Sequence, residues 1–321
     1  IFPITADQDT AGPMAKTVAD AAILLGAMEG ASPDPQDPAT SACEIPLNRD
    51  YTPHLWADGL QSARIGIPRA FYYEPMMVPG ETEQRGGLND AQAALMTEAI
   101  QVLRTQGAEI VDPADIPSVV SPVRQSNFLA WGICSGPNNR KGLDANCSVV
   151  FKYGMKRDFG AYLATLGQKA PVGSLTELRK FNLANQHRNA IRYGQAQLNN
   201  SDEMDLEADR ARYETDRARD VLLGGTRGIA AAIEEHQLDA LLFPGSSGAS
   251  IAARPGYPSV IVPFGTVPNR PTPPLPEGFD ARPTPYGVSF TGIACSEPRL
   301  IELAYAFEQT TRRRVPPPQF P

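Results

Sequence analysis

The sequence predicts an α/β fold, on the strength of two patterns. The first is a strand, a helix and a second strand at residues 64–68, 89–106 and 108–111. A strand–helix–strand unit of this kind pairs its strands in parallel, within a sheet that helices cover. The second pattern is a pair of continuous apolar runs at residues 240–243 and 259–262, which are typical of strands buried inside such a sheet.

Helical spacing and helix-ending residues predict the other elements in chain order. The first helix follows Pro13, with Met14 as its first apolar residue, and ends before Gly30. Residues 32–59 are rich in proline and predict a surface loop. The middle of the chain, residues 121–225, is predicted to be mostly helical.

Within that middle region, Ser174 and Glu177 form a capping-box pattern that introduces one helix. The nearly all-charged stretch 205–220 is interpreted as a solvated helix face with pairs at i,i+4 spacing. Seven prolines between Val267 and Pro285 predict a rigid surface excursion. Residues 286–291 then give a fifth strand, and residues 297–310 an amphipathic helix.

The bulk composition excludes several classes of partner. The chain has 321 residues, 42% of them hydrophobic and 20% charged, with a net charge of −7. Nucleic acid and anionic membrane surfaces attract basic faces, so neither is an expected partner. No stretch approaches the roughly 20 apolar residues that span a bilayer. We expect a single domain over residues 1–321 that needs no metal or cofactor.

The cysteines and histidines show no recognisable pairing pattern. None of the cysteines forms a C-x-x-C pair, and the histidines are too scattered for a zinc site. The residues concerned are Cys43, Cys134, Cys147, Cys295, His54, His187 and His236. We therefore expect no disulfide framework, and a reducing, cytoplasmic location.

One serine motif invites a catalytic interpretation. Gly245-Ser246-Ser247-Gly248 follows a buried strand, and α/β proteins place their sites at the carboxyl ends of strands. A serine nucleophile also needs a base within hydrogen-bond reach, and no histidine or lysine is near in the sequence. The alternative interpretation is that small residues allow a tight turn after the strand, and we favour it.

Four segments, taken together, resemble the amidase signature family. Residues 8–22, QDTAGPMAKTVADAA, look like the segment just downstream of the nucleophile in that family. Gly66-Ile67-Pro68-Arg69, residues 256–263 and residues 287–308 match further segments in order. The helix that includes residues 156–163 is similar to one of the peptide-amidase-like branch. The resemblance covers nearly the whole chain.

The resemblance implies a C-terminal part of an α/β/α sandwich, with a mixed central sheet and helices on both faces. It implies hydrolysis of amide carbon–nitrogen bonds by a Ser–cis-Ser–Lys triad without a metal. In the family that triad lies upstream of the segment with which this chain begins. We therefore expect no catalytic residue in the chain, and no activity from the chain alone. The Gly245–Gly248 motif resembles the family signature only superficially.

Four residues are candidates for the substrate pocket. Ser246, Ser247 and Trp131 are candidate pocket walls, because in relatives the loop after that strand and the middle helices face the substrate. Asp9 is a candidate near the catalytic loop. For Trp131 the alternative is ordinary core packing. For Asp9 the alternative is a turn or capping role before the first helix.

Three functions compete at this stage. The favoured one is part of an amidase that acts on a small amide, with a leaning toward linear amides. The second is a non-catalytic binding or scaffold domain derived from the same fold. The third is an unrelated serine hydrolase that uses Ser246 or Ser247 with a histidine. Because the predicted strands are about half of the family sheet, we also expect self-association through an exposed sheet.

Overall fold

The computed structural model describes residues 2–35, 37–270, 274, 276–279 and 281–316. Its helices are α1 (Val18–Met28), α2 (Asp90–Thr105), α3 (Pro117–Val120), α4 (Val150–Leu166), α5 (Leu175–Ala184), α6 (Ala196–Asp202), α7 (Arg210–Val221), α8 (Ala230–His236), α9 (Ala249–Ala253) and α10 (Glu297–Thr311). Its strands are β1 (Arg64–Gly66), β2 (Pro75–Met77), β3 (Gln84–Gly86), β4 (Glu109–Val111), β5 (Gly132–Ile133), β6 (Cys147–Ser148), β7 (Ala240–Pro244), β8 (Ser259–Val267) and β9 (Thr284–Thr291). Residues Leu222–Ile229 are π-helical.

The chain divides into two compact units. The helical unit comprises Ile1–Ala11 and Phe128–Leu223, and the sheet unit comprises Gly12–Asn127 and Gly224–Pro321. Helices α4 to α7 and the short β5–β6 pair lie in the helical unit. The predicted helical middle of the chain therefore falls largely within one of the two units.

The sheet unit is built on a mixed sheet of five strands in the order β4-β1-β7-β9-β8. Strand β1 pairs in parallel with β4 and with β7, in a register that sets Ile65 opposite Ile110 and Ala240. Strand β9 pairs antiparallel with both β7 and β8. All five predicted strands are present, and the strand–helix–strand unit β1–α2–β4 has the expected parallel pairing. The α/β prediction with a mixed central sheet is confirmed.

The core of the sheet unit is formed by β7 and α10. Every residue of β7 is buried, as the continuous apolar run predicted. Phe307 of α10 packs against the sheet, with ring centroids 5.3 Å from Phe264 and 5.8 Å from Phe290. Each such ring contributes about 1.5–3 kcal/mol by leaving water. This packing holds α10 against β8 and β9, and β9 pairs in turn with β7.

Two predicted helix starts can be compared with the structure. Helix α1 begins at Val18 rather than just after Pro13, because the side chain of Thr17 accepts a hydrogen bond from the backbone N–H of Asp20. Met14 lies outside the helix and is 94% exposed. The start of α5 agrees with the capping prediction, since Ser174 accepts a hydrogen bond from the backbone N–H of Glu177.

The charged stretch 205–220 is not only a solvated helix face. Two of its carboxylates are buried, with Asp216 at 7% and Asp220 at 0% exposure. Asp216 accepts from the backbone N–H of Val149 at 3.0 Å, and Asp220 accepts from the hydroxyl of Ser148 at 2.6 Å. The prediction was wrong for this face because these partners lie more than sixty residues away in the sequence.

The cysteine prediction was also wrong. Cys43 bonds to Cys295 within the sheet unit, and Cys134 bonds to Cys147 within the helical unit. The first pair is 252 residues apart, a separation from which no sequence pattern could indicate a bond. Because disulfides persist in oxidising compartments, the argument for a reducing, cytoplasmic location loses its basis.

Two further predictions concern the proline-rich excursion and membrane-spanning segments. The proline-rich excursion includes residues 271–273, 275 and 280, which lie outside the described residues. Among the helices in the described ranges, none is long and apolar enough to cross a membrane.

Candidate functional site

The carboxyl ends of three strands share one edge of the sheet. Strands β1, β4 and β7 run parallel, so the loops after Gly66, Val111 and Pro244 all leave from this edge. In open α/β sheets, ligands bind outside the carboxyl ends of the strands. This edge of the sheet unit is therefore its candidate site, and the Gly245–Gly248 motif lies on it.

The turn after β7 is rigid and presents two exposed hydroxyl groups. Gly245 has a φ of +54°, a conformation that favours glycine, and its N–H donates to the carbonyl of Gly287 at 2.9 Å. The hydroxyl of Ser289 donates to the carbonyl of Gly245 at 2.5 Å. Ser246 and Ser247 follow in the turn and are both exposed. The small residues allow the turn, as the alternative interpretation predicted.

Neither serine hydroxyl has a base as a hydrogen-bond partner among the described residues. In the part of the chain that the structure describes, the side chains of Ser246 and Ser247 make no hydrogen bond to a histidine or lysine. Without a base in reach, a serine hydroxyl is a weak nucleophile. What these serines offer chemically is hydrogen bonding to a polar group placed above the turn.

A second feature of the same edge is an arginine fork. The guanidinium of Arg69, just after β1, donates to both oxygens of Asp112, just after β4, at 2.7 and 2.6 Å. This hydrogen bonding raises the pKa of Arg69 above its usual value. The guanidinium also lies 5.1 Å from the ring centroid of Tyr73, whose hydroxyl donates to the carbonyl of Leu242 at 2.8 Å. The fork thus joins the loops after two strands, next to β7.

A shallow cavity of about 410 Å³ opens beside this fork, and its polar lining comes from the two loops and from Glu74. Its lining residues are Arg69, Ala70, Glu74, Pro75, Met76, Asp112, Pro113 and Asp115. Asp115 accepts from the backbone N–H of Ala70 at 2.7 Å. In the sequence, Arg69 stood out only as the last residue of the segment Gly66-Ile67-Pro68-Arg69, which resembles the amidase signature family. Its position directly after a strand was the signal that could have identified it.

Asp9 is engaged in a turn of the helical unit. One of its carboxylate oxygens accepts from the backbone N–H groups of Ile4 and Thr5, at 2.7 and 3.0 Å. Its own N–H donates to the carbonyl of Thr5 at 2.9 Å. These contacts are those of the turn role that the sequence analysis gave as the alternative.

Trp131 lies in the interior of the helical unit, with 4% of its surface exposed. Its indole N–H donates to Asp220 at 2.8 Å, and the guanidinium of Arg219 lies 3.8 Å from the ring centroid. Ser246 and Ser247 are neighbours in the sheet unit, whereas Asp9 and Trp131 belong to the helical unit.

Sequence reasoning missed a polar network around Asp7. The carboxylate of Asp7 accepts from the hydroxyl of Tyr213 at 2.8 Å and from the guanidinium of Arg157 at 3.1 Å. Burial raises the pKa of Asp7, but hydrogen bonds from Tyr213, Thr5 and Arg157 together lower it below its usual value. The arginines of α4 and α7 were visible in the sequence, but their partner at residue 7 was not.

A second network surrounds Lys152. Its ammonium group pairs with Asp144, which also pairs with the guanidinium of Arg212 at 3.0 Å. Burial raises the pKa of Asp144, but hydrogen bonds from Lys152 and Arg212 lower it by more. The pKa of Asp144 therefore lies below its usual value. Within the described residues, no group of three or more His, Cys, Asp or Glu side chains could hold a metal ion.

Comparison with known proteins identifies the family to which the chain is similar. A family model described as Amidase matches residues 1–301. A probable amidase of Arabidopsis thaliana is 29% identical over 319 residues, which cover 99% of this chain and 51% of that protein. A putative amidase of Arthroderma benhamiae is 28% identical, with 98% of this chain and 48% of that protein covered.

Solved structures agree with the family match. The peptide amidase from Stenotrophomonas maltophilia is 33% identical, with a TM-score of 0.72 over 99% of this chain and 56% of that one. An amidase family protein from Bacillus anthracis is 25% identical, with a TM-score of 0.73 over 99% and 51%. The chain spans about half the length of the relatives that it matches. The similarity to the peptide-amidase-like branch is confirmed, and the chain belongs to the amidase family.

Proposed function

We propose that this chain forms part of an amidase that hydrolyses the carbon–nitrogen bond of a small linear amide, and that it contributes pocket and support rather than the nucleophile. The observation that carries the proposal is a family match over residues 1–301 combined with a Gly-Ser-Ser-Gly turn whose hydroxyls have no histidine or lysine partner among the described residues. A Ser–cis-Ser–Lys triad upstream of Ile1 would supply the nucleophile. The chain alone would then be inactive.

The division of roles follows from the chemistry of amide hydrolysis. A neutral lysine would take a proton through the bridging serine, so that the nucleophilic serine attacks the carbonyl carbon. Backbone N–H groups would stabilise the oxyanion, and the amine would leave with a proton returned by the same relay. Water, deprotonated through that relay, would then attack the acyl-enzyme ester and release the carboxylic acid and the free serine. The residues of this chain would bind and orient the amide. Ser246 and Ser247 are the proposed pocket walls, because they are exposed at the carboxyl edge of the sheet.

The proposed roles of Asp9 and Trp131 are less direct. Both side chains already have partners within the helical unit, Asp9 in its turn and Trp131 against Asp220. We propose that Asp9 shapes the segment near the catalytic loop, and that Trp131 supports a pocket wall from behind. Neither residue needs to touch the substrate for these roles.

A second candidate function is a non-catalytic binding or scaffold domain derived from the amidase fold. The same observation favours it, since the Gly245–Gly248 motif has no histidine or lysine partner within the described part of the chain. The two candidates differ in what the complete reading frame encodes. An upstream glycine- and serine-rich segment with a preceding lysine supports the amidase, and a reading frame without one supports the scaffold.

Turnover measurements test the proposal. The 321-residue chain and the polypeptide of the complete reading frame are assayed side by side on a panel of aliphatic, aromatic and peptide amides. We expect turnover only from the latter. Turnover by the chain alone, above a mock-purified control and abolished by a fluorophosphonate, would overturn the proposal. Inactivity of both would favour the scaffold function.

A further inference from the structure

Within the helical unit, apolar contacts hold the segment Phe2–Asp9 against helix α4. The ring of Phe2 lies 5.6 Å from that of Phe159 and 5.4 Å from that of Tyr162, both on α4. Thr5 is fully buried. It packs so closely on α4 that a Cβ at Gly154 would come within 2.1 Å of the Thr5 hydroxyl oxygen. Glycine at this position is therefore what lets the segment approach the helix.

Polar contacts add a second layer of attachment, centred on Asp7. Its carboxylate pairs with Arg157 at 3.1 Å and with Arg217 at 3.4 Å, and it accepts from the hydroxyl of Tyr213. Arg217 also donates to the backbone carbonyl of Asp7 at 3.2 Å. Next along the chain, the backbone N–H of Ala6 donates to Asp158 at 2.7 Å. The groups that face Asp7 come from both α4 and α7.

The partners of Asp7 are themselves held in place. The rings of Tyr153 and Tyr213 stack with centroids 4.3 Å apart, and the guanidinium of Arg157 lies 5.0 Å from the Tyr213 ring. Arg157 is further fixed by Asp158, at 2.6 Å. A donor already held in its bonding geometry loses little conformational entropy when it binds, so this site is preorganised for the Asp7 carboxylate.

This attachment exceeds what the local turn requires. Asp9 alone already closes the turn through the N–H groups of Ile4 and Thr5. The additional contacts tie the turn to helices that lie about 150 and 210 residues further along the chain. Such contacts fix the position and orientation of the segment within the unit, rather than its internal shape.

We propose that Asp7, Arg157 and Arg217 form a positioning clamp that fixes the segment Thr5–Asp9 on α4 and α7, and that the clamped segment in turn helps to position the catalytic triad of the complete protein. The second half of this inference rests on the function proposed above. Asp7, Arg157 and Arg217 are positioning residues, since none of them need touch the substrate. They would act by holding the segment Thr5–Asp9 in place, and not by contacting the substrate or the nucleophile themselves.

Hydrogen exchange of the 321-residue chain tests the clamp itself. The reporter amides are those of Ile4, Thr5, Ala6 and Asp9, all hydrogen-bonded in the clamped segment. In Asp7→Asn and in Arg157→Ala we expect these amides to exchange at least about 10-fold faster, because loss of the clamp lets the segment open locally. Arg157→Lys keeps the positive charge but loses the planar guanidinium with its several donors. Its exchange rates should fall between those of wild type and those of Arg157→Ala.

The control is Arg210→Ala, an exposed arginine on the same α7 helix, which should leave exchange unchanged. Asp7→Asn has nearly the volume of the wild-type residue, so it remains informative if Arg157→Ala does not fold. Wild-type exchange rates in both Asp7→Asn and Arg157→Lys would overturn the clamp.

Kinetics of the polypeptide of the complete reading frame test the positioning role. Misplacement of reacting groups by about 1 Å can cost on the order of 100-fold in rate, so we expect Asp7→Asn to lower kcat by about 10- to 100-fold. KM should stay within about twofold, and Arg210→Ala should keep both constants. A raised KM with unchanged kcat would overturn positioning. An inactive wild type would overturn the proposed function, while hydrogen exchange would still decide whether the clamp holds the segment.

Discussion

Lys152 is a charged residue in the interior of the helical unit, with 2% of its side chain exposed. Its ammonium group pairs with Asp144 and donates to the carbonyl of Asn139 at 3.1 Å. Asp144 is 4% exposed and is shared with Arg212. Burial of charges is tolerated only when each is paired and hydrogen-bonded. These residues therefore act as one unit, and removal of any member leaves at least one buried charge with fewer partners.

Replacement of Lys152 by methionine should destabilise the chain by about 3–5 kcal/mol, because Asp144 is left buried with one cation fewer. Chemical denaturation followed by circular dichroism gives the measurement. The control is Lys141→Met, whose ion pair with Asp209 involves a lysine side chain that is 48% exposed. Exposed pairs contribute about 0–1 kcal/mol, so the control should stay within that range. Equal losses in both variants would contradict the account.

The same network predicts a pH dependence. The pKa of Asp144 is lowered from its usual 3.8, so its ionised form stabilises the fold at pH values above 3.8. That contribution is lost as the pH falls below 3.8 through the pKa of the folded state. In Asp144→Asn we expect a lower stability at neutral pH and a smaller decline in acid than in wild type. If stability declined in acid as steeply in Asp144→Asn as in wild type, the pKa of Asp144 would not be lowered in the folded chain.

At the carboxyl edge of the sheet, Ser246 and Ser247 should influence substrate choice rather than permit or abolish catalysis. In the polypeptide of the complete reading frame, Ser246→Ala and Ser247→Ala should change kcat/KM by at most one to two orders of magnitude, or about 1–3 kcal/mol. Loss of a true nucleophile costs several orders more. Ser250→Ala, an exposed serine in α9, is the control. An inactive Ser246 or Ser247 variant would refute the pocket-wall role.

Among the elements, α4 contains two glycines that should respond in opposite ways to the same substitution. Replacing an exposed helical glycine by alanine usually stabilises a protein by up to about 1 kcal/mol, and a Cβ at Gly160 meets nothing within 4 Å. A Cβ at Gly154 would come within 2.1 Å of the Thr5 hydroxyl oxygen. The difference lies entirely in which face of the helix the segment Phe2–Asp9 covers.

We therefore expect Gly160→Ala to raise the unfolding free energy by up to about 1 kcal/mol, and Gly154→Ala to lower it by about 1–3 kcal/mol through overpacking. Denaturant titrations of the two variants beside wild type check the signs. Stabilisation by both substitutions would mean that Thr5 does not pack on α4. That result would also weaken the clamp.

Elements were more predictable than their partners. Strands β7 and β8 followed from apolar runs, β1 and β4 from the strand–helix–strand pattern, and α5 from its capping residues, because these signals are local. The start of α1 was missed because the Thr17 cap outweighs the spacing that includes Met14. The disulfides, the Asp7 clamp and the Lys152 network depend on residues brought together by the fold. Ser246 and Ser247 could be singled out as a turn, but the Arg69–Asp112 fork needed the sheet order.

For the whole molecule, the outer strand β8 predicts association between copies. It ends the five-stranded sheet in the described part of the chain, and Ile261 on it is 53% exposed. An edge strand with an apolar side chain recruits other strands. We expect light scattering to show a mass that rises with concentration, and Ile261→Lys to reduce the rise. Leu47→Lys, at a residue 86% exposed in the short 3-10 helix Leu47–Arg49, is the control. A monodisperse monomer at every concentration would contradict the prediction.

We propose that the catalytic nucleophile of the complete protein lies outside the residues of this chain. The most direct test is to label the polypeptide of the complete reading frame with a fluorophosphonate and to map the modified serine by mass spectrometry. The account predicts a single modified serine outside residues 1–321, and no labelling of the chain alone. Modification of Ser246 or Ser247 that tracks the loss of turnover would contradict it.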